Sequence, residues 1–456
     1  MKKIVALILL FSLVMSLTGC TNGGSQEQDA LAVSRAVYPE RVSFPDQASY
    51  LKSNGELKYS YYNAYEAWQK DNWEKEELSV DDWDELNPFF TDSIRQFLSD
   101  SQGQNKVYSP LNVYMALGML SEVTEGESRS QVLALLGEDS VEELRTQADS
   151  IWNANYRNDG VTTSILASSL WLNENVEFIK STLDSLAKNY HASSYQGTMG
   201  SEELNNAFRS WLNEQTGGLL EGQTSNESLG ANTIMALATT VNFHAKWKDE
   251  FRKGRTKEDV FHGINEDINC DFMYQDEEDI YYWGDKFSAV SKRLENSGNM
   301  WFILPDEGVA VDELLESEQV MEFLLSDKRE WENTKYPIVH LAVPKFDVDS
   351  DMDLIPGLKA LGVTDVFDST VADFSPMMKN MDDIFPYVSK AKHAARVKID
   401  EEGCTAVAYT IIVESGVGAA APPDEEVDFI LDRPFLFVIT GEGEIPLFVG
   451  VVNRPV

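Results

Sequence analysis

The fold is decided by residues Val397–Val413, which read VKIDEEGCTAVAYTIIV. The segment begins as a strand, turns through acidic residues at Gly403 and continues in small and β-branched residues that favour a further strand. Glycines, three alanines and two prolines follow Val413, a composition typical of an exposed loop. Two interpretations are open: an ordinary buried strand with its connection, or an exposed loop that later enters the middle of a β-sheet.

The rest of the chain favours the second interpretation, because its motifs follow one another as in a known family. Residues Tyr108–Ser121 read YSPLNVYMALGMLS and resemble the Ser-Pro segment that enters a buried helix in the serpins. The resemblance runs from about Asp84 to the C-terminus. It implies an α+β fold with a large mixed β-sheet able to accept the reactive-centre loop as an extra strand, surrounded by helices and smaller sheets. Further matching segments, in family order, are Leu166–Leu172, Phe208–Gly218, Phe243–Trp247, Met273–Gln275, Phe302–Gly308, Val343–Phe346, Leu361–Phe367, Asp432–Phe437 and Phe448–Pro455.

The N-terminus has the composition of an export signal. Lys2 and Lys3 precede an apolar run from Ile4 to Leu17 that is too short to span a bilayer comfortably. The run ends in Leu17-Thr-Gly-Cys20, which matches a bacterial lipobox; a chance cysteine beside a plain signal is the alternative. We therefore expect residues 1–19 to be a lipoprotein signal peptide. Residues 20–30 would form a lipidated tether, because two acyl chains on Cys20 anchor durably to the outer side of a bacterial membrane.

Residues 31–83 precede the resemblance and are rich in acidic and aromatic side chains, whereas residues 84–456 form the serpin-like domain. Tyr61, Tyr65 and Trp68 recur at helical spacing and predict a helix over Tyr61–Glu76. We expect this extension to dock on the domain. The alternative is an independent binding module.

Hydrophobic periodicity predicts helices first and strands later in the chain. The predicted helices are Asn87–Leu98, Leu111–Ser121, Ser128–Leu136 with Gly137 as the stop, Val176–Tyr190 and Ser201–Gln215. The predicted strands are Ser164–Leu172, Met300–Leu304, Pro337–Phe346, Phe435–Thr440 and Pro446–Val452.

The chain is strongly acidic, with 76 Asp and Glu against 37 Lys and Arg and a formal net charge of −39. This charge argues against nucleic acid as a partner, against anionic lipid bound through a basic patch, and against the heparin activation of some animal serpins. The ordinary interpretation is a solvated exterior; steering of a basic protease is the alternative. We expect a monomer.

Cofactor and metal sites are not expected. With Cys20 acylated, only Cys270 and Cys404 remain, and the resemblance places them far apart, so no disulfide is expected. The strongest metal candidate is Asp347–Asp353, which starts like a calcium loop. Met352 stands where the sharp turn needs Gly and Leu358 where the bidentate Glu belongs, so a solvated turn is the preferred interpretation.

Common catalytic motifs are also absent from the sequence, which has no Gly-x-Ser-x-Gly, His-Glu-x-x-His or Gly-x-x-x-x-Gly-Lys motif. His393 has no nucleophile near it in the sequence. By resemblance it belongs instead to the shutter, a buried polar cluster that breaks and re-forms when the sheet opens. The shutter residues would be Ser109, Asn112, Thr239 and His393, with Asn112 and Thr239 differing from the residues usual in the family.

The resemblance implies that the protein is a suicide inhibitor and not an enzyme. A serine protease, or alternatively a cysteine protease, would cleave the loop and be trapped as a covalent acyl complex when the loop inserts. Counting from Gly403 places the reactive bond at Val417–Gly418, within a window that also includes Gly416, Ala419, Ala420 and Ala421. Because these residues are small and uncharged, an elastase-like or subtilisin-like target is expected rather than a trypsin-like one.

The hinge that would insert first is small on its inward-facing side, where Cys404, Ala406, Ala408 and Thr410 alternate with outward-facing residues. Cys404 replaces the Thr or Ser usual in the family. Its size alone accounts for that; a sharper hypothesis is that oxidation of an exposed Cys404 thiol disables the inhibitor. Two rival functions remain, a non-inhibitory serpin or a surface-binding lipoprotein. The complete hinge set is Glu402, Gly403, Cys404, Thr405, Ala406, Val407, Ala408 and Thr410.

Overall fold

A computed structural model describes residues 30–76, 83–379, 385–404 and 425–455. The helices are α1 (Tyr59–Glu76), α2 (Asn87–Leu98), α3 (Pro110–Val123), α4 (Gly126–Leu136), α5 (Val141–Asn155), α6 (Lys180–Asn189), α7 (Glu202–Gln215), α8 (Glu221–Thr224), α9 (Val311–Leu315), α10 (Glu318–Leu325) and α11 (Ile355–Ala360). The strands are β1 (Ala32–Ser34), β2 (Lys106–Tyr108), β3 (Arg157–Asn158), β4 (Thr163–Asn173), β5 (Ala192–Gly197), β6 (Met235–Lys246), β7 (Lys257–His262), β8 (Asp267–Glu278), β9 (Tyr281–Gly284), β10 (Phe287–Arg293), β11 (Asn299–Pro305), β12 (Thr334–Lys335), β13 (Ile338–Pro344), β14 (Phe346–Asp353), β15 (Lys392–Ile399), β16 (Gly403–Cys404), β17 (Glu426–Ile430), β18 (Phe435–Thr440) and β19 (Pro446–Val452).

Three sheets organise these strands. The main sheet has the order β1-β5-β4-β6-β16-β15-β14, with β3 also paired to β4; it is mixed, because β4 and β5 run parallel and the other pairs are antiparallel. A second sheet has the order β12-β9-β10-β11-β18-β19-β2, and a third has the order β17-β13-β8-β7. With the helices, this is the α+β architecture expected from the sequence.

Most predicted elements are confirmed. The helix Asn87–Leu98 and the strands Phe435–Thr440 and Pro446–Val452 have the predicted bounds. Gly137 ends α4 at a φ of 78°, a left-handed conformation that favours glycine.

Two predictions are wrong. Asp347–Asp353 is not a solvated turn, because all of it lies in β14, where Arg396 and Lys392 of β15 pair with Asp347 and Asp351 across the ladder. The helix predicted to begin at Val176 begins only at Lys180, because the preceding residues form a turn in which Asn173 accepts a hydrogen bond from the Asn175 amide.

The extension lies against the domain, and its helix α1 covers the predicted Tyr61–Glu76. Tyr61, Trp68 and Asn72 are buried, which is the face that the helical spacing indicated. Trp68 Nε1 donates a 2.8 Å hydrogen bond to Oδ2 of the buried Asp159.

Two other parts of the extension also contact the domain. The ring of Tyr38 stacks on that of Trp152 with 5.5 Å between centroids. Strand β1 pairs with β5 at the edge of the main sheet. The extension therefore adds both a strand and an aromatic contact to the domain.

The described strands leave a gap at the centre of the main sheet. Among the described residues, no ladder joins β6 directly to β15; the two strands are bridged only at one end, by the two residues of β16. Below this bridge lies a cavity of about 450 Å³, lined by residues 235–240 of β6, residues 392–394 of β15 and apolar side chains of α3. The sheet thus has room between β6 and β15 for the continuation of β16.

Candidate functional site

Gly403 begins the short central strand. It pairs with Lys246 of β6, and the following Cys404 pairs with Ala245 on one side and Ile399 of β15 on the other. A Cβ atom on Gly403 would lie 2.3 Å from the Ala245 carbonyl oxygen and 2.7 Å from Lys246 Cα. Glycine is required at this position because the two backbones approach each other too closely for any side chain.

Cys404 is only 2% exposed and packs in the main hydrophobic core. Burial, with a smaller contribution from Asp400, raises the pKa of its thiol to about 12. The expectation of an exposed thiol is therefore wrong, because Cys404 itself already pairs between β6 and β15. A buried, protonated thiol reacts slowly, so size is the better explanation for a cysteine at this position.

A set of hydrogen bonds holds the turn that leads into β16. Trp247 Nε1 donates to the Asp400 carbonyl at 2.8 Å, and the Trp247 amide donates to the Glu402 carbonyl at 3.1 Å. The Asp400 side chain accepts from the amides of Glu402 and Gly403. The Glu402 carboxylate pairs with Lys253. These contacts fix the turn on the end of β6.

Glu401 strengthens the same turn and was not identified from the sequence. Its Oε1 accepts from Lys345 Nζ and from Thr256 Oγ1, both at 2.7 Å. Burial alone would raise the pKa of Glu401, but these two hydrogen bonds outweigh it and lower the pKa. The sequence signal was its position directly before Glu402. Its partners stand 56 and 145 residues away, so their contact could not be read from spacing.

Hydrogen bonds join Ser109 to two other predicted shutter residues, Asn112 and His393. Ser109 caps α3, where its Oγ accepts from the Asn112 amide at 3.4 Å. The Ser109 amide donates to His393 Nε2 of β15 at 3.0 Å, which requires that nitrogen to be unprotonated. His393 is fully enclosed, and this burial lowers its pKa to about 4. The bond therefore links the N-terminus of α3 to one side of the sheet opening.

Asn112 and Thr239 take less direct positions. Asn112 is buried beside Ser109, and its Oδ1 has no hydrogen-bond partner among the described residues. It borders a small cavity of about 20 Å³ together with His393 and Thr240, a space about the size of one water molecule. Thr239 lies on β6 and pairs with Ser168 of β4. Thr239 and His393 both line the 450 Å³ cavity, but among the described residues no hydrogen bond joins them.

The remaining predicted site residues lie outside the described ranges. They are Cys20, the hinge residues Thr405, Ala406, Val407, Ala408 and Thr410, the reactive-bond residues Val417 and Gly418, and the window residues Gly416, Ala419, Ala420 and Ala421. Within the described residues there is no cluster of His, Cys, Asp or Glu suited to a metal ion, and no helix long and apolar enough to cross a bilayer.

The described site is thus a mixed main sheet in which the two-residue strand β16 pairs with β6 on one side and β15 on the other. The family model that matches the chain is the serpin (serine protease inhibitor) model, over residues 84–455. The chain belongs to the serpin family, whose members are generally protease inhibitors rather than enzymes.

Relatives and solved structures agree with this assignment. A leukocyte elastase inhibitor of Sus scrofa is 28% identical, with 80% of this chain and 97% of the relative covered. Serpin-Z2B of Triticum aestivum is 27% identical, with coverages of 78% and 91%. The native state of the thermophilic serpin tengpin matches with a TM-score of 0.70 and 25% identity, over 81% of this chain and 93% of that one.

Proposed function

We propose that this protein is a suicide-substrate inhibitor of elastase-like or subtilisin-like serine proteases. The observation that carries the proposal is β16, because Gly403 and Cys404 already pair between β6 and β15 in a sheet that is open below them. Similarity to leukocyte elastase inhibitors supports the class of target.

The proposed reaction uses the protease's own chemistry. Its catalytic serine attacks the Val417 carbonyl, the Val417–Gly418 bond breaks, and the Gly418 amine leaves with the proton supplied by the protease's histidine. The freed loop then extends β16 between β6 and β15 before water reaches the acyl-enzyme. Burial at roughly 1.5 to 3 kcal/mol for each aliphatic side chain, with a new backbone ladder, releases on the order of 10 kcal/mol. That energy is sufficient to distort the trapped active site.

The test mixes the soluble protein with neutrophil or pancreatic elastase, followed by a denaturing gel and intact-mass measurement. We expect a detergent-stable complex and a released C-terminal peptide that begins at Gly418. The matched variant Val417→Arg should transfer inhibition to trypsin, because an arginine there fits a trypsin-like pocket. Rapid trypsin inhibition by the unmodified protein would contradict the specificity. Cleavage without a complex, by elastase and by subtilisin, would favour a non-inhibitory serpin.

We further propose that Cys20 is lipidated and holds the protein on the outer side of a bacterial membrane. The supporting observation is the Leu17-Thr-Gly-Cys20 tetrad at the end of the apolar run. Metabolic labelling with a palmitate analogue should mark the protein and not a Cys20→Ser variant. A mature protein that lacks acyl chains by intact mass would contradict this anchor.

The extension offers a test of the surface-binding alternative. The extension contacts β5, Trp152 and Asp159, so deletion of residues 31–83 should lower stability but leave covalent inhibition in place at temperatures where the truncated protein is folded. Loss of adhesion to cells or matrix with inhibition unchanged would instead favour a binding role for the extension.

A further inference from the structure

An exposed aromatic and acidic surface lies where the reactive loop returns to the domain. We call it the loop-root patch and define it by Glu278, Ile280, Tyr336 and Glu425. Tyr336 is 59% exposed and Ile280 is 36% exposed, and both carboxylates are also exposed. Exposed large apolar side chains that adjoin charged groups are typical of protein interaction sites.

The backbone brings these four residues together. Lys335 of β12 pairs with Tyr281 of β9, and the Asp279 amide donates to the Pro337 carbonyl, so Ile280 and Tyr336 lie opposite each other between these two contacts. The Ile338 amide donates to the Glu425 carbonyl at 2.9 Å. Because Ile338 is two residues after Tyr336, this hydrogen bond places Glu425 close to Tyr336. Glu278, Ile280 and Tyr336 line the same open cleft.

The charge around the patch is net negative. Segments 277–286, 327–336 and 425–428 contain ten carboxylates against three lysines and one arginine. One of the lysines, Lys335, is already engaged: its Nζ lies 2.5 Å from Glu425 Oε1 and 5.2 Å from the centre of the Tyr281 ring. That lysine shows how an aromatic ring and a carboxylate together hold a cationic side chain at this surface. Tyr336 and the exposed carboxylate of Glu278 present the same combination to an outside partner, whereas Glu425 is already occupied by Lys335.

The short distance along the chain between the proposed reactive bond and Glu425 indicates that a bound protease reaches the patch. The structure resumes at Glu425, eight residues after Val417, so the proposed reactive bond lies within about 28 Å of Glu425 even with a fully extended chain. A protease catalytic domain of about 230 residues is roughly 45 Å across. A protease bound at Val417 therefore extends over the root of the loop and its surroundings.

We propose that the loop-root patch is a secondary docking surface for the target protease, and that it selects proteases with a basic surface beside the primed side of the active site. The proposal rests on the proposed inhibitory function and deepens it by naming the charge of the partner. Electrostatic complementarity of this kind raises the association rate more than it changes the final complex.

The test uses the full soluble domain with its extension and two elastase-type proteases with matched specificity pockets, one of high and one of near-neutral isoelectric point. In the double variant Glu278→Lys with Tyr336→Ala, we expect the association rate constant for the basic protease to fall at least tenfold. For the neutral protease it should fall less than twofold. The stoichiometry of inhibition should be unchanged with both proteases, because the hinge is untouched. The salt dependence of the basic protease's rate should also decrease.

The matched control is Glu203→Lys with Tyr59→Ala, which makes the same changes at exposed positions on α7 and α1. An equal loss of rate in the control, or equal losses with the two proteases, would overturn the docking surface. Concentration-dependent dimers that the patch variant abolishes would assign the patch to a second copy instead.

Binding of the basic protease with its catalytic serine changed to alanine separates this proposal from the inhibitory function. If this inactive protease binds the unmodified protein at least tenfold more tightly than the patch variant, docking holds even where no covalent complex forms. Equal binding to both proteins, or no binding to either, would overturn the patch.

Discussion

The main sheet receives two short added strands, and the chain secures them in different ways. At the edge, β1 pairs with β5 in an irregular register, and the residues that follow it add a hydrogen bond from the Ala36 amide to Ser193 Oγ and the stacking of Tyr38 on Trp152. At the centre, β16 is paired on both sides and depends on the absence of a side chain at Gly403. The edge strand thus depends on contacts that side chains add, whereas the central strand also requires that Gly403 has no side chain.

The largest expected effect comes from adding a side chain at the centre. Gly403→Val places a Cβ atom 2.3 Å from the Ala245 carbonyl oxygen. Residue 403 then cannot pair with β6 as Gly403 does, so insertion of the cleaved loop into the sheet should be delayed. We expect the stoichiometry of inhibition to rise at least tenfold, measured as the ratio of cleaved inhibitor to covalent complex on a denaturing gel. The control Gly254→Val, where a Cβ meets no atom within 4 Å, should leave that ratio near that of the parent. Full complex formation by Gly403→Val would remove the steric argument.

The second largest effect is a pH dependence of stability that arises from His393 on β15. Its pKa is lowered to about 4 by burial, against about 6.5 in an unfolded chain, so the unfolded state binds more protons between these values. Its contribution to stability is therefore complete above about pH 6.5 and decreases as the pH falls towards 4, by up to about 3 kcal/mol.

Denaturant unfolding at several pH values measures this decrease. His393→Gln, whose side-chain oxygen can still accept from the Ser109 amide, should flatten that part of the profile. His262 gives the opposite sign, because its hydrogen bond to the exposed Asp267 raises its pKa. An unchanged slope in His393→Gln would show that another group is responsible.

The smallest effect is expected in the N-terminal extension. Trp68→Phe keeps an aromatic ring in the buried site but removes the pyrrole part of the indole together with its hydrogen bond to Asp159, which retains the amides of Val161 and Thr162 as donors. We expect a loss of about 1 to 2 kcal/mol in the free energy of unfolding and no change in the stoichiometry of inhibition. Trp73→Phe, at a 61% exposed position, is the control and should change stability by less than about 0.5 kcal/mol. A changed stoichiometry in Trp68→Phe would show that the extension and the centre of the sheet are coupled.

The sequence predicted those parts of the fold whose signal is local. The periodicity of Asn87–Leu98 and the glycine stop at Gly137 indicated their helices because both depend on neighbouring residues. Asp347–Asp353 gave the opposite result: its aspartates suggested a turn, whereas basic residues 41 or more positions later make a strand of it.

The site shows the same division. Gly403 and Cys404 were identified from the composition of the segment, but their burial could not be, because it depends on β6, more than 150 residues earlier. Glu401 was missed for the same reason, since Lys345 and Thr256 reach it only in the folded chain. Ser109 and His393 were paired through the family resemblance, and no local pattern joins residues 284 positions apart.

The aspartates of β14 also matter for molecules held close together on a surface. Open sheet edges expose unpaired backbone groups on which strands of neighbouring molecules can assemble and aggregate. At one edge β1 covers β5, and at the other β14 carries four exposed carboxylates on alternate residues, Asp347, Asp349, Asp351 and Asp353. A strand from another molecule approaching that edge would have to desolvate these carboxylates and their partners Arg396 and Lys392, so the edge disfavours assembly between neighbouring molecules.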